Sequence, residues 1–212
     1  MKDMNFIQCL DNPTFPFLII DNFYNSQEQT LIWEEIEFYY NQGMFVSDNK
    51  TGVYGTALQN GKPLAALNRI YLEDIYSQEN RYKSNILNVY QKITSKEVIE
   101  FYKKTTPAGK QFEITNRDCT AISYYDNKDQ YLTHSDSFMH TVILWFYKKP
   151  KKFKGGDFIL TEPNIRVNCE HNRLIMFPSF YSHKVEEIQI DHKYRNKGLG
   201  RFSISHFYNS VK

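Results

Sequence analysis

From Gln111 onward the chain breaks into short runs rich in β-branched and aromatic residues, separated by turn-forming clusters about every ten residues. The runs are Gln111 to Thr115, Cys119 to Tyr125, Thr141 to Tyr147, Asp157 to Thr161, Ile165 to Asn168, Arg173 to Phe177, Ser182 to Ile190 and Arg201 to Tyr208. Such a series predicts an all-β sandwich or barrel, because short strands bury an apolar face only by stacking two sheets or closing one. The first half reads differently. Phe15 to Ile20 predicts one buried strand, and Ser26 with Gln29 predicts a capping box that opens a helix over 27–41. Residues 42–70 carry Gly43, Gly52, Gly55, Gly61 and Pro63 without a sustained period, which predicts a long loop or irregular hairpin. Ile86, Leu87, Tyr90 and Ile93, then Val98, Ile99 and Tyr102, return to helical spacing, with Ser95 capping the second segment.

Within the β-rich half, Tyr131-Leu-Thr-His134-Ser-Asp136 is followed by His183 and then by Arg201-Phe-Ser203. In a strand, residues i and i+2 point the same way, so His134 and Asp136 can reach one metal while a neighbouring strand supplies a third ligand. Two imidazoles and one carboxylate occupy one face of an octahedral iron and leave three positions open. A tetrahedral zinc site can use the same donors.

Taken in order, His134-x-Asp136, Gly155-Gly156-Asp-Phe-Ile-Leu160, Arg173-Leu-Ile-Met-Phe-Pro178, His183-Lys-Val185 and Arg201-Phe-Ser-Ile-Ser resemble the Fe(II)/2-oxoglutarate dioxygenases, nearest to their prolyl-4-hydroxylase-like group. The resemblance implies a mainly β, α+β chain: a double-stranded β-helix (jelly-roll) core with N-terminal helices packed on one sheet. It implies one dioxygenase domain over 1–212, with 1–110 as helical support and 111–212 as core. His134, Asp136 and His183 become iron ligands. Arg201 and Ser203 become the grip on the distal carboxylate of 2-oxoglutarate, and Tyr124 and Tyr131 face the cosubstrate. The implied cofactors are Fe(II), 2-oxoglutarate and O2, with ascorbate in support. The implied reaction hydroxylates a C–H bond of an amino acid, a prolyl-type peptidyl residue or a small metabolite while 2-oxoglutarate becomes succinate and CO2. Retention of Asp136 argues against the halogenating branch, where a small residue takes that place. The interval from His183 to Arg201 is longer than is usual in the group, which keeps Lys193, Arg195 and Lys197 as competing basic residues on an extended hairpin over 189–200.

Composition narrows the alternatives. A formal charge of +2 and 24% charged residues give no global basis for binding nucleic acid or an anionic membrane. An AlkB-like nucleic-acid demethylase is therefore the minority reading, and there Phe207 stands where a second arginine is expected. A metal-holding jelly roll without turnover is the non-enzymatic reading. The three cysteines fit neither a disulfide framework nor a thiolate zinc site, and the N-terminus lacks a signal-peptide pattern, so a cytoplasmic setting is expected. His140, His171, His192 and His206 are expected as surface or hydrogen-bonded residues. Trp145 and Phe146 are expected in the core, and Lys148 to Lys154 as a solvated hairpin tip before Gly155-Gly156.

Overall fold

The computed structural model describes residues 3–47 and 56–211. In chain order, β1 (Asn5–Cys9) and β2 (Phe17–Asp21) lead into α1 (Ser26–Asn41). The short strands β3 (Val46–Ser47), β4 (Leu58–Gln59), β5 (Lys62–Pro63), β6 (Ala65–Ala66) and β7 (Asn68–Tyr71) follow, then the helices α2 (Asn85–Val89), α3 (Lys96–Thr105) and α4 (Gly109–Phe112). The second half holds β8 (Arg117–Tyr125), β9 (Gln130–His134), β10 (His140–Phe146), β11 (Phe153–Gly155), β12 (Phe158–Leu160), β13 (Ile165–Val167), β14 (Leu174–Pro178), β15 (His183–Val185), β16 (Ile188–Ile190) and β17 (Arg201–Asn209).

An eight-stranded sheet in the order β1-β2-β14-β10-β17-β8-β7-β3 faces a five-stranded sheet in the order β13-β12-β15-β9-β6. The large sheet is buried on both faces, which is why β10 and β14 are buried at every position instead of alternating. One face carries Ile122, Tyr124, Val142, Leu144, Phe202 and Ile204 against Ile32, Ile36 and Tyr39 of α1 and Val98 and Tyr102 of α3. The opposite face carries Tyr125, Ile143, Trp145, Ile175 and Phe177 against Tyr131, Phe158, Leu160 and Val185 of the small sheet. The result is the expected jelly roll with helices on one sheet.

The expectations for the ends of elements are corrected in places. The cap of α1 lies one residue earlier than the sequence suggests: the Asn25 side chain accepts from the backbone N–H of Gln27 and Glu28, and Glu28 accepts from the Asn25 N–H at 2.7 Å. Asn outranks a hydroxyl only slightly as a cap, so spacing alone leaves the two registers close. Gln111 to Thr115 is not a strand but the end of α4 and its turn, because the Phe112 ring packs on Tyr102, His140 and Tyr208. Loop 42–70 contains β3 to β7, including an Asn60-Gly61 turn with both residues at positive φ between β4 and β5, while 48–55 lies outside the described residues. The first 110 residues contribute strands as well as helices, since β1, β2, β3 and β7 belong to the large sheet. The three cysteines are free, and no described helix is long and apolar enough to cross a membrane.

Candidate active site

Pairing of β9 with β15 sets His134 directly opposite His183. Each ring is fixed by the carbonyl two residues before it: His134 Nδ1 donates to Leu132 O at 2.7 Å and His183 Nδ1 donates to Tyr181 O at 2.8 Å. With Nδ1 carrying the proton, both Nε2 lone pairs face the same space. Asp136 completes the group, its carboxylate oxygens 3.6 Å from His134 Nε2 and 3.7 Å from His183 Nε2. Among the described residues these three form a set whose donor atoms all lie within 4.8 Å of one another. Packing fixes the rings further, with Tyr131 stacked on His134 at 3.6 Å and Phe158 on His183 at 5.2 Å. Burial, and then the neighbouring His183, depress the His134 pKa to about 3, so its imidazole is neutral and available as a ligand at ordinary pH. One detail of the sequence reading changes. β9 ends at His134, so Asp136 reaches the site from the following loop and not from a shared strand face.

The floor of the cavity is the inward face of β8, β17 and β10. Register places Arg201 opposite Tyr125, Ser203 opposite Ser123 and Phe207 opposite Cys119, while Thr141 and Ile143 of β10 face Phe207 and Ser205. The cavity measures about 260 Å³ and is lined by His134, Asp136, His183, Arg201 and Ser203 together with Arg69, Tyr71 and Phe138. Arg201 is fully buried, its guanidinium 4.6 Å from the Tyr125 ring centroid and 5.8 Å from that of Trp145. Nε, Nη1 and Nη2 of Arg201 have no hydrogen-bond partner among the described residues. A buried guanidinium without an acceptor carries a penalty of several kcal/mol, which a carboxylate removes in a two-pronged contact. The donor set and this arginine together fit a divalent iron and a dicarboxylate 2-oxo acid.

Of the residues expected at the site, His134, Asp136, His183, Arg201, Ser203 and Tyr131 share this cavity. Tyr124 does not. Its ring lies on the helix-facing side of β8, and its hydroxyl donates to Asp126 at 2.7 Å; Tyr125, one residue on, turns inward. The competing cations also point elsewhere: Arg195 Nε donates to Ile190 O, Lys197 Nζ to Lys193 O, and Lys193 pairs with Asp191. His140 and His206 are buried and hydrogen-bonded, to Tyr102 and Thr120 respectively, and Trp145 and Phe146 are core residues as expected. The sequence reading missed Arg69, whose Nε donates to Ser123 Oγ at 2.8 Å, as well as Thr141 and Ser179 beside Asp136. A usable signal was present. Cys119, Ala121 and Ser123 alternate with larger residues along β8, as Ser203 and Ser205 do along β17, and a strand face of small side chains marks where a sheet leaves room.

No family model matches the chain, and no curated protein matches it in sequence. Solved structures do. A prolyl-4-hydroxylase of Pseudomonas putida aligns over 95% of this chain and 96% of its own with a TM-score of 0.61 at 12% identity. A prolyl hydroxylase of Trichoplax adhaerens, in complex with a hypoxia-inducible-factor peptide, aligns over 92% and 83% with a TM-score of 0.63 at 14% identity. This chain has the prolyl-hydroxylase fold. A viral collagen prolyl hydroxylase of Paramecium bursaria Chlorella virus-1, solved with 2-oxoglutarate, aligns over 92% and 96% with a TM-score of 0.53 at 11% identity. At such identities the likeness concerns the fold, and the chemistry rests on the side chains described above.

Proposed function

We propose that this protein is an Fe(II)/2-oxoglutarate-dependent dioxygenase that hydroxylates a C–H bond of a small molecule or a peptidyl residue. The observation that carries the reading is the buried Arg201, three nitrogens without an acceptor, in the same cavity as His134, Asp136 and His183. His134, Asp136 and His183 would hold the iron through Nε2 and carboxylate oxygen. When bound, iron with 2-oxoglutarate and O2 supplies the oxidation of the substrate C–H bond, with release of succinate and CO2. The protein's own contribution is orientation and exclusion. Arg201 binds the distal carboxylate, held in place by the Tyr125 and Trp145 faces, and Ser203 lies on the same strand face to share that carboxylate. Phe158, Phe177 and Val185 wall the iron side against water, and ascorbate would keep the metal reduced between turnovers. The fold neighbour with a bound peptide supports a peptidyl substrate as one option, beside an amino acid or small metabolite.

Phe207 disfavours the nucleic-acid demethylase reading: it occupies the inward position six residues beyond Arg201, stacked on Phe138 at 4.9 Å, where a second arginine would be required. The deciding experiment incubates the purified chain with Fe(II), ascorbate, O2 and 2-oxoglutarate, with and without a panel of amino acids, peptides and methylated oligonucleotides, and measures succinate. The expected result is substrate-stimulated succinate with a product heavier by one oxygen, abolished in His134→Ala and Asp136→Ala. No succinate with any mixture, together with no stabilisation by 2-oxoglutarate, favours the metal-holding module without turnover.

A further inference from the structure

Asp136 lies beyond the end of β9, in a loop, so something other than strand geometry must aim its carboxylate. The loop is fixed at the backbone, where Asp136 N–H donates to Ser179 O at 3.0 Å and Ser179 N–H donates to Met139 O at 3.1 Å. It is fixed again at the side chain. Thr141 Oγ1 donates to Asp136 Oδ2 at 2.7 Å and lies 2.8 Å from Ser179 Oγ. Each hydroxyl has one proton, and the carboxylate only accepts, so the Thr141 proton is committed to Asp136 and the Ser179 hydroxyl must donate to Thr141. Thr141 and Ser179 are both fully buried, which leaves this relay without competition from water.

We propose that Thr141 and Ser179 are positioning residues that aim the Asp136 carboxylate at the space beside the two imidazoles, where Oδ1 lies 3.6 Å from His134 Nε2 and Oδ2 lies 3.7 Å from His183 Nε2. The inference rests on the dioxygenase reading above. A carboxylate free to turn in its loop would leave the two imidazoles without their third partner, whereas one tethered through Oδ2 stays beside both. The relay thus holds the third donor of the set in place. Hydroxyls on strand β10 and one residue past β14 are well suited to this, because both strands are anchored in the large sheet.

The test uses the full chain, metal-free and anaerobic, titrated with Co(II) and then, as Fe(II), with 2-oxoglutarate. The readouts are metal affinity, the Co(II) d–d absorption and the charge-transfer absorption of the Fe(II)·2-oxoglutarate complex. Thr141→Val keeps the branched shape and removes the hydroxyl. It is expected to weaken Co(II) about 10-fold or more, alter the d–d spectrum and weaken the charge-transfer band. Thr141→Ser restores all three to near wild type, which a purely steric role for Thr141 would not produce. Ser179→Ala, removing only the outer hydroxyl, changes the same readouts in the same direction by a smaller factor and serves if Thr141→Val does not fold. Wild-type affinity and spectra in a folded Thr141→Val, or in Ser179→Ala if that is the variant that folds, overturn the relay while leaving the dioxygenase reading standing. A wild-type chain that binds neither Co(II) nor 2-oxoglutarate overturns that reading and the relay with it.

Discussion

Two adjacent tyrosines show how much one residue of register decides. Tyr124 and Tyr125 are chemically the same and next to each other, yet β8 sends the first to the helix-facing core and the second to the cavity. Tyr124→Phe is therefore expected to cost about 1 to 2 kcal/mol of stability, since Asp126 loses a buried hydrogen bond, and to leave 2-oxoglutarate affinity unchanged. Tyr125→Leu removes the ring beneath Arg201 and is expected to weaken 2-oxoglutarate by about 1 kcal/mol with little effect on metal affinity. Calorimetric titration of 2-oxoglutarate into both variants separates them, and equal losses of affinity would contradict the register. Arg201→Gln is expected to weaken 2-oxoglutarate by about 2 to 5 kcal/mol while Co(II) affinity stays within a few-fold, as measured by the same titration.

At the scale of elements, the site depends on where strands end and begin. Gly200, immediately before β17, sits so close to β8 that an added Cβ would lie 2.0 Å from Tyr125 O. Gly200→Ala must push the start of β17 away from β8, at the residue pair Arg201 and Tyr125 on the cavity floor. Both stability and 2-oxoglutarate affinity are expected to fall, by at least 2 kcal/mol in urea unfolding. The cap of α1 is a contrasting case. Asn25→Ala removes the side-chain oxygen that accepts from two backbone N–H groups and is expected to cost about 1 kcal/mol of stability, leaving ligand affinity alone because α1 packs on the far face of the large sheet. The helices were legible from apolar spacing, and most of the β-rich half from its turn punctuation. The Gln111 to Thr115 run was misread because a five-residue apolar pattern does not reveal that Phe112 will be drawn into a cluster with Tyr102, His140 and Tyr208.

For the molecule as a whole, burying one sheet on both faces also buries histidines. Burial depresses His140 to a pKa of about 4 and His206 to about 3, with both rings fully enclosed. Unfolded, each takes up a proton near pH 6.5. Above that pH neither state is protonated and the full stability is present. As the pH falls from 6.5 toward the folded values, the unfolded chain gains protons that the native rings refuse, so stability is lost. Each ring contributes a loss of about 2 kcal/mol by pH 5, before most carboxylates titrate. Urea unfolding at pH 7, 6 and 5 should show this decline, and His206→Gln should flatten it; a variant with an unchanged pH slope would place the titration elsewhere.

The sequence by itself determined a β-rich sandwich or barrel, because strand punctuation is a local property of the chain, and its ordered motifs, through the family they resemble, implied the jelly roll, the two histidines and the aspartate that meet, and Arg201 beside them. Only the tertiary structure decided that Tyr125 and not Tyr124 faces the cavity, that N-terminal strands complete the large sheet, that Asp136 is aimed by Thr141 and Ser179, and that Arg69 joins the site. Those facts depend on which strand lies beside which and in what register. Pairings between residues far apart in sequence leave no periodic trace in either segment alone, and burial by the opposing sheet fixes them.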